Sequence, residues 1–182
     1  MSFVRVLIYS NFAIIHIENT LMQAQIIHIQ QKKLIGRHLQ MSLADHKTYQ
    51  LWHSFMKEIK AFPIFNSRDK FSLQLYDESL RLGDMGQKFE KWAAVEVSND
   101  EVIPDNMEVF IIPAGRYAVF HYQGLSTDHQ IYIDIFTSWL PQSSYVLDDR
   151  PHFEILGQKY KNDDPQSEED IWIPIKAKEE TL

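Results

Sequence analysis

The chain contains no cysteine. That excludes disulfides, a thiol nucleophile and cysteine-ligated metal, and it fits a reducing cytoplasm. It also lacks positive charge: 18 Lys and Arg stand against 25 Asp and Glu, a formal net charge of −7. Such a surface does not supply the sequence-independent phosphate attraction that drives nucleic-acid binding. There is no long apolar run. The most apolar stretch, Phe3–Ile17, is broken by Arg5, Ser10 and Asn11, and is too short and too polar for a membrane span. It carries no basic leader and no small-residue cleavage site. No His-x-x-x-His pair, calcium-loop order, Gly-x-Gly-x-x-Gly, phosphate loop or Gly-x-Ser-x-Gly elbow occurs among the 182 residues, so no metal site or cofactor is expected.

What the chain does have is a repeat. With Ile29 set on Ile112, His38 falls on His121, Gln40 on Gln123, Asp45 on Asp128, His46 on His129 and Tyr49 on Tyr132. Further on, Phe71-Ser72-Leu73 matches Phe153-Glu154-Ile155, and Trp92-Ala93-Ala94-Val95 matches Trp172-Ile173-Pro174-Ile175. Each half reads β-β-α-β-β. The strands are expected at 26–29, 34–39, 71–76 and 92–97, then 109–112, 117–122, 153–156 and 171–175. Turns follow the first strand of each half at Gln30–Lys33 and Pro113–Arg116. Asp45 and Asp128 sit near the helix starts, where a carboxylate favours the exposed N–H groups. Trp52, Phe55, Met56, Ile59 and Phe62 recur at helical spacing in the first half, and Ile131, Ile135, Phe136 and Trp139 in the second. Pro141 is expected to end the second helix.

The expected fold is α+β: two tandem β-β-α-β-β repeats, over 24–97 and 108–176, with antiparallel sheets, helices on one side and a ligand cleft between the repeats. A half of about 75 residues is marginal alone, so the two pair as one domain over 22–182. Residues 1–21 read as an extension outside that core, from an upstream start codon, or as an extra edge strand.

Several residues are candidates for chemistry. Alternation along 152–156 puts His152, Glu154 and Leu156 on one face and Phe153 and Ile155 on the other. A carboxylate within such a strand is either solvated at an edge or buried with a partner. Buried among rings, Glu154 would attract a cation or serve as a general acid or base. In the last strand Ile171, Ile173 and Ile175 share a face, which leaves Trp172 on the other as a cleft-wall candidate together with its counterpart Trp92. Trp52 and Trp139 lie on apolar helix stripes and read as core. Tyr49 and Tyr132 border a cleft between the halves or lie at the surface. The acidic run Asp163–Asp170 reads as a solvated hairpin connection.

The second half also carries an ordered series of fragments. These are Ile111-Ile112-Pro113-Ala114-Gly115-Arg116-Tyr117, His121-Tyr122-Gln123-Gly124, Trp139-Leu140-Pro141, Ser144-Tyr145, Pro151-His152-Phe153-Glu154, Asp164-Pro165 and Ile171-Trp172-Ile173-Pro174-Ile175-Lys176. The series resembles the gyrase-inhibitor-like family, also met as the effector-binding half of bacterial AraC-type and MerR-type multidrug regulators. The resemblance covers residues 24–176, and is strongest over 108–176. It implies a standalone cytoplasmic domain that binds lipophilic, cationic organic molecules without binding nucleic acid or membrane directly. Glu154 matches the family's pocket carboxylate, and Trp172, Trp92, Tyr145, Tyr122 and Tyr49 are the implied ring contacts. Two alternatives come with it. One is a hydrolase of reactive cyclopropane-type electrophiles with Glu154 as the catalytic group; the other is a protein-partner inhibitor of DNA gyrase. The chain departs from the family in three places. It has no helix-turn-helix segment. Ser143-Ser144-Tyr145 replaces the usual Ser-Gly-Tyr turn. Leu156 and Gly157 stand where a tyrosine is common, which weakens any tyrosine-dependent reaction.

Overall fold

A computed structural model describes residues 8–9, 12–13, 22–66, 68–77 and 79–178. Strands β1 (Ile8–Tyr9) and β2 (Phe12–Ala13) form a two-stranded ribbon of their own. The rest of 1–21, where the extension is expected, lies outside the described residues.

From residue 25 the chain follows the repeat. The first half is β3 (Gln25–Ile29), β4 (Lys32–Met41), α1 (Thr48–Ile59), a single turn α2 (Pro63–Asn66), β5 (Lys70–Leu75) and β6 (Phe89–Glu96). The second half begins with β7 (Glu108–Ile112), β8 (Gly115–Gln123) and α3 (Gln130–Asp134). It ends with β9 (Tyr145–Leu147), β10 (His152–Leu156) and β11 (Glu168–Ala177). Pro141 does not end the second helix. The helix passes through a widened π turn over Ile135–Trp139 and closes over Leu140–Gln142, with Ser143 as the extended C-terminal cap. A proline lacks the N–H that a regular turn would demand, and a widened turn relaxes that demand.

The nine strands from β3 onward make one antiparallel sheet, ordered β3-β8-β11-β10-β5-β6-β4-β7, with β9 on the end of β11. The turns after β3 and β7 do not close hairpins. Instead β3 crosses to pair with β8, Ile29 opposite Gly115, while β7 crosses to β4, Ile112 opposite Lys32. Each half thus supplies the other's outer strand. Yet β3 and β4 are joined by two residues and stand near opposite ends of the strand order. Three peptide steps span at most about 11 Å. The sheet therefore curls until its two ends come close, with β3 and β7 remaining the terminal strands.

That curl gives the sheet an inner and an outer face. The inner face is filled by Leu34, Phe71, Leu73, Trp92, Ala94, Tyr117, Val119 and Phe153, with Trp172 packed against them. Gly36 belongs there because a Cβ would lie 2.2 Å from the Ala93 carbonyl oxygen and 2.7 Å from the Ala94 Cβ. On the outer face α1 buries Leu51, Phe55 and Ile59 against Ile35, Met41, Ala93 and Val95. The second helix buries Ile135, with Phe136 and Trp139, against Ala118, Phe120, Ile171, Ile173 and Ile175. Each fully buried side chain of this kind contributes roughly 1.5–3 kcal/mol. Both helices lie on the outer face, each over its own half.

Candidate functional site

Between the two helical cores run the central strands β5 and β10, and here the outer face changes character. Their register sets Ser72 opposite Glu154 and Gln74 opposite His152. The alternation that sends Leu73 and Phe153 inward sends these four polar residues outward, into the groove between the helices. The two apolar cores thus flank a polar floor.

Glu154 is the centre of that floor. Tyr132, from α3, donates its hydroxyl to Oε1 of Glu154. Lys91, on β6, brings its Nζ within 3.6 Å of Oε2. Its side chain is 6 % exposed, whereas that of Glu154 keeps 19 %, so the lysine is the more deeply buried of the two. Ser72 presents its hydroxyl to the same carboxylate from directly across the sheet. Burial alone would raise the Glu154 carboxyl. The Lys91 ammonium, helped by the Tyr132 and Ser72 hydroxyls, outweighs it and holds the group below the usual carboxylate range. Burial, then the Glu154 charge, pushes the Tyr132 phenol well above its ordinary value. The same two causes push Tyr76 up to about 12. Tyr76 donates to Gln74 at 3.1 Å and meets the His152 ring edge-on at 6.0 Å. Burial depresses His152 to about 4, so its imidazole is neutral near pH 7.

Glu169 lies two residues before Ile171 on β11, hence on the same outer face, and pairs with Tyr122 of β8. Because Ile171 stands opposite Glu154, Glu169 is the diagonal neighbour of Glu154, roughly 7–8 Å away through the sheet. Burial, then the Glu154 charge, raises its carboxyl to about 7, while Lys91 pulls it back.

The residues singled out from the sequence divide between places. Tyr122 faces the groove beside Glu169, its hydroxyl donated to the Leu125 carbonyl at 3.1 Å. Tyr49 is 79 % exposed and stacks on His53 at 5.9 Å. It rims a groove of about 400 Å³ with Trp52, Met56 and Asn162, where the flank of α1 meets the β10–β11 loop. Trp92 and Trp172 are not brought to Glu154. They lie on the inner face, Trp92 stacked on His38 at 4.6 Å and Trp172 on Phe153 at 5.2 Å. The isoleucine face of β11 is the helix-bearing face, so the tryptophan opposite to it points into the barrel. Tyr145 is remote as well: it pairs with Ala177 at the far end of β11 and lies 6.0 Å from the Arg116 guanidinium. Lys91, Ser72 and Glu169 were missed by sequence reasoning. A wider depression of about 690 Å³ lies at one end of the sheet, but the cations lining it are already engaged, Lys32 by Glu96 and Arg68 by Glu101. Among the described residues no three metal-binding side chains converge, and no helix is long and apolar enough to cross a membrane.

A family profile described as the GyrI-like small molecule binding domain matches residues 22–176. The chain belongs to the GyrI-like family. Solved structures agree on the fold. SAV2435, in a structure bound to tetraphenylphosphonium, is 18% identical over 88% of this chain and 98% of its own, with a TM-score of 0.66. The EcmrR C-terminal domain is 14% identical over 85% and 98%, with a TM-score of 0.57. A hydrolase from Listeria innocua is 9% identical over 85% and 92%, with a TM-score of 0.58. Comparison with curated protein sequences finds no match. In this chain Glu154 lies on a polar floor between two helices.

Proposed function

We propose that this GyrI-like domain binds lipophilic organic cations in the groove between its helices, with Glu154 at the bottom. The observation that carries the reading is the placement of Glu154. It is an ionised carboxylate, partly open to solvent, in a floor flanked by rings and by apolar helix faces. A cation that leaves water for such a place keeps a counter-charge and gains ring faces. Tyr132 and Tyr122 are the ring contacts we assign. The binding of tetraphenylphosphonium by SAV2435 is consistent with this class of ligand.

A second reading rests on one further contact. Tyr132 and Glu154 form a hydrogen-bonded phenol–carboxylate pair, an arrangement able to pass a proton to or from a substrate. The Listeria hydrolase with the same fold keeps this reading in play. Here the tyrosine comes from the helix, not from the strand after Phe153-Glu154.

A thermal-shift screen of lipophilic cations and neutral aromatics separates the two. A ligand that binds the folded state raises the melting temperature with its concentration. Binding predicts cation-dependent stabilisation, lost in Glu154→Gln, with the ligand recovered unchanged. Hydrolysis predicts product from a strained electrophile, and none from Glu154→Gln or Tyr132→Phe. If no compound shifts the wild type, the small-molecule reading of this groove fails.

A further inference from the structure

The charges of the groove do not add up to a cation site through Glu154 alone. Lys91 is a buried ammonium 3.6 Å from Glu154, and at that distance it offsets part of the carboxylate's charge for any ligand that approaches from above. Lys91 is also fixed in place: its neighbours on the same face of β6, Ala93 and Val95, are fully buried under α1. A monocation that displaces Tyr132 from Glu154 still meets the ammonium behind it. The groove needs another negative charge.

Glu169 is that charge. It stands on the strand next to Glu154, on the same face and one diagonal step away. Among the described residues its carboxylate has neither a side-chain hydrogen bond nor an ion pair, unlike that of its neighbour Glu168, which pairs with Lys159 at 2.8 Å. The groups that face it from the surrounding elements are Glu154 on β10, Lys91 on β6, Tyr122 on β8, Tyr132 on α3 and Tyr160 in the β10–β11 loop. Lys91 is the one cation among them, and Glu154 already holds it. The three aromatic side chains are neutral phenols near pH 7, each pushed up from its ordinary value.

We propose that Glu169 is a second ligand-binding residue: beside a Glu154 whose charge is partly offset by Lys91, its carboxylate adds the charge that holds a cationic ligand. The proposal rests on the reading of the groove as a cation site. A consequence is that cation binding is coupled to proton release. Burial and the Glu154 charge bring Glu169 to about 7, so part of the population is protonated at neutral pH. When only the ionised form binds, apparent affinity follows the ionised fraction, and rises up to about tenfold from pH 6 to pH 8. A neutral ligand gains nothing from that charge.

The test uses the full chain and tetraphenylphosphonium, whose own charge is independent of pH. Its uncharged relative triphenylphosphine oxide serves as the control. Dissociation constants are measured calorimetrically at pH 6 and pH 8 for wild type, Glu169→Gln and Glu154→Gln, in two buffers of different ionisation enthalpy so that proton release is counted. The wild type should bind the cation several-fold to tenfold more tightly at pH 8 and release a fraction of a proton. Glu169→Gln should bind it more weakly at pH 8, with the pH dependence and the proton release both gone. Glu154→Gln should bind more weakly too, and its dependence between pH 6 and pH 8 should shrink, because the charge that helps raise Glu169 is gone and Lys91 is left to lower it. If Glu169→Gln retains the wild-type affinity, pH dependence and proton release, Glu169 is not the binding charge and the proposal falls while the cation site stands. If wild type binds neither probe at either pH, both the proposal and the reading beneath it fall.

Discussion

Ser72 and Glu154 occupy the same position in the two repeats, and they face each other across the middle of the sheet. Phe71 lies opposite Ile155 and Leu73 opposite Phe153, so the pseudo-two-fold axis passes through the Ser72–Glu154 pair. A symmetric ancestor of this floor would have carried two like side chains at the axis. Two carboxylates there would repel. The present pair instead joins one carboxylate to one small hydroxyl, which leaves a single charge on the axis.

The same asymmetry separates Tyr132 from its counterpart Tyr49. One reaches Glu154, the other is at the surface. Tyr132→Phe removes the hydroxyl that helps hold the carboxylate ionised, and a hydrogen bond to a charged group contributes roughly 1.5–3 kcal/mol. The variant should unfold at lower denaturant concentration and bind a lipophilic cation more tightly, since the carboxylate no longer has to exchange one partner for another. Equal or weaker binding in Tyr132→Phe would mean that the phenol contacts the ligand directly.

Lys91→Met deletes the buried ammonium and keeps most of its aliphatic volume. With the cation gone, burial dominates at Glu154 and its carboxyl titrates upward. At pH 8 the groove should hold a cation several-fold more tightly than wild type does, and the difference should shrink as the pH falls. Carbon-13 NMR of the glutamate carboxyls reads the shift directly. A Glu154 resonance that does not move would show that the 3.6 Å contact contributes little to its ionisation.

Glu169 also leaves a mark on stability. Its carboxyl is raised in the folded protein from the usual 4.5 to about 7. A raised acid favours the folded state while protonated, so this contribution is complete below about pH 4.5 and is lost as the pH climbs towards 7. Wild type should therefore lose stability across that window relative to Glu169→Gln, with the variant the more stable of the two at pH 8. Urea titrations at half-unit pH steps check the sign. Parallel curves for the two proteins would show that Glu169 is not raised.

Phe153 neighbours Glu154 in sequence but belongs to the barrel interior, 2 % exposed and stacked on Trp172. Phe153→Ala should cost about 3–5 kcal/mol of stability, the usual range for emptying such a site. Cation affinity, measured under conditions where the variant is folded, should stay near wild type. A large loss of affinity at full folding would mean that the inner face takes part in binding.

Much of this arrangement was legible beforehand. Alternation over 152–156 separated Glu154 from Phe153, and alternation over 171–175 separated Trp172 from its isoleucines, as the structure has them. What alternation does not say is which face bears the helices. Without that one fact Trp172 reads as a cleft-wall residue, although Glu154 and Ile171 share the helix side. Tyr132 and Tyr49 stood together as border residues, and a repeat cannot tell which of two equivalent residues turns inward. Lys91 was passed over, yet its spacing from Ala93 and Val95 put it on the apolar side of β6, where a charge demands a partner. Glu169 was hidden in an acidic run read as a solvated loop, but β11 begins at Glu168 and its pleat already governs the next residue. The exchange of β3 and β7 between halves had no sequence signal, because a two-residue link closes a hairpin as readily as it spans the gap between the sheet's two ends.

A cation bound between the helices and one bound inside the barrel would touch opposite faces of the sheet. The direct measurement is calorimetric titration of tetraphenylphosphonium into wild type, Glu154→Gln and Trp172→Phe at pH 8. A site between the helices predicts that Glu154→Gln weakens binding about tenfold or more, a difference of about 1.4 kcal/mol, while Trp172→Phe on the opposite face leaves it unchanged. Binding that survives Glu154→Gln and is lost in Trp172→Phe would contradict the account and move the site into the barrel.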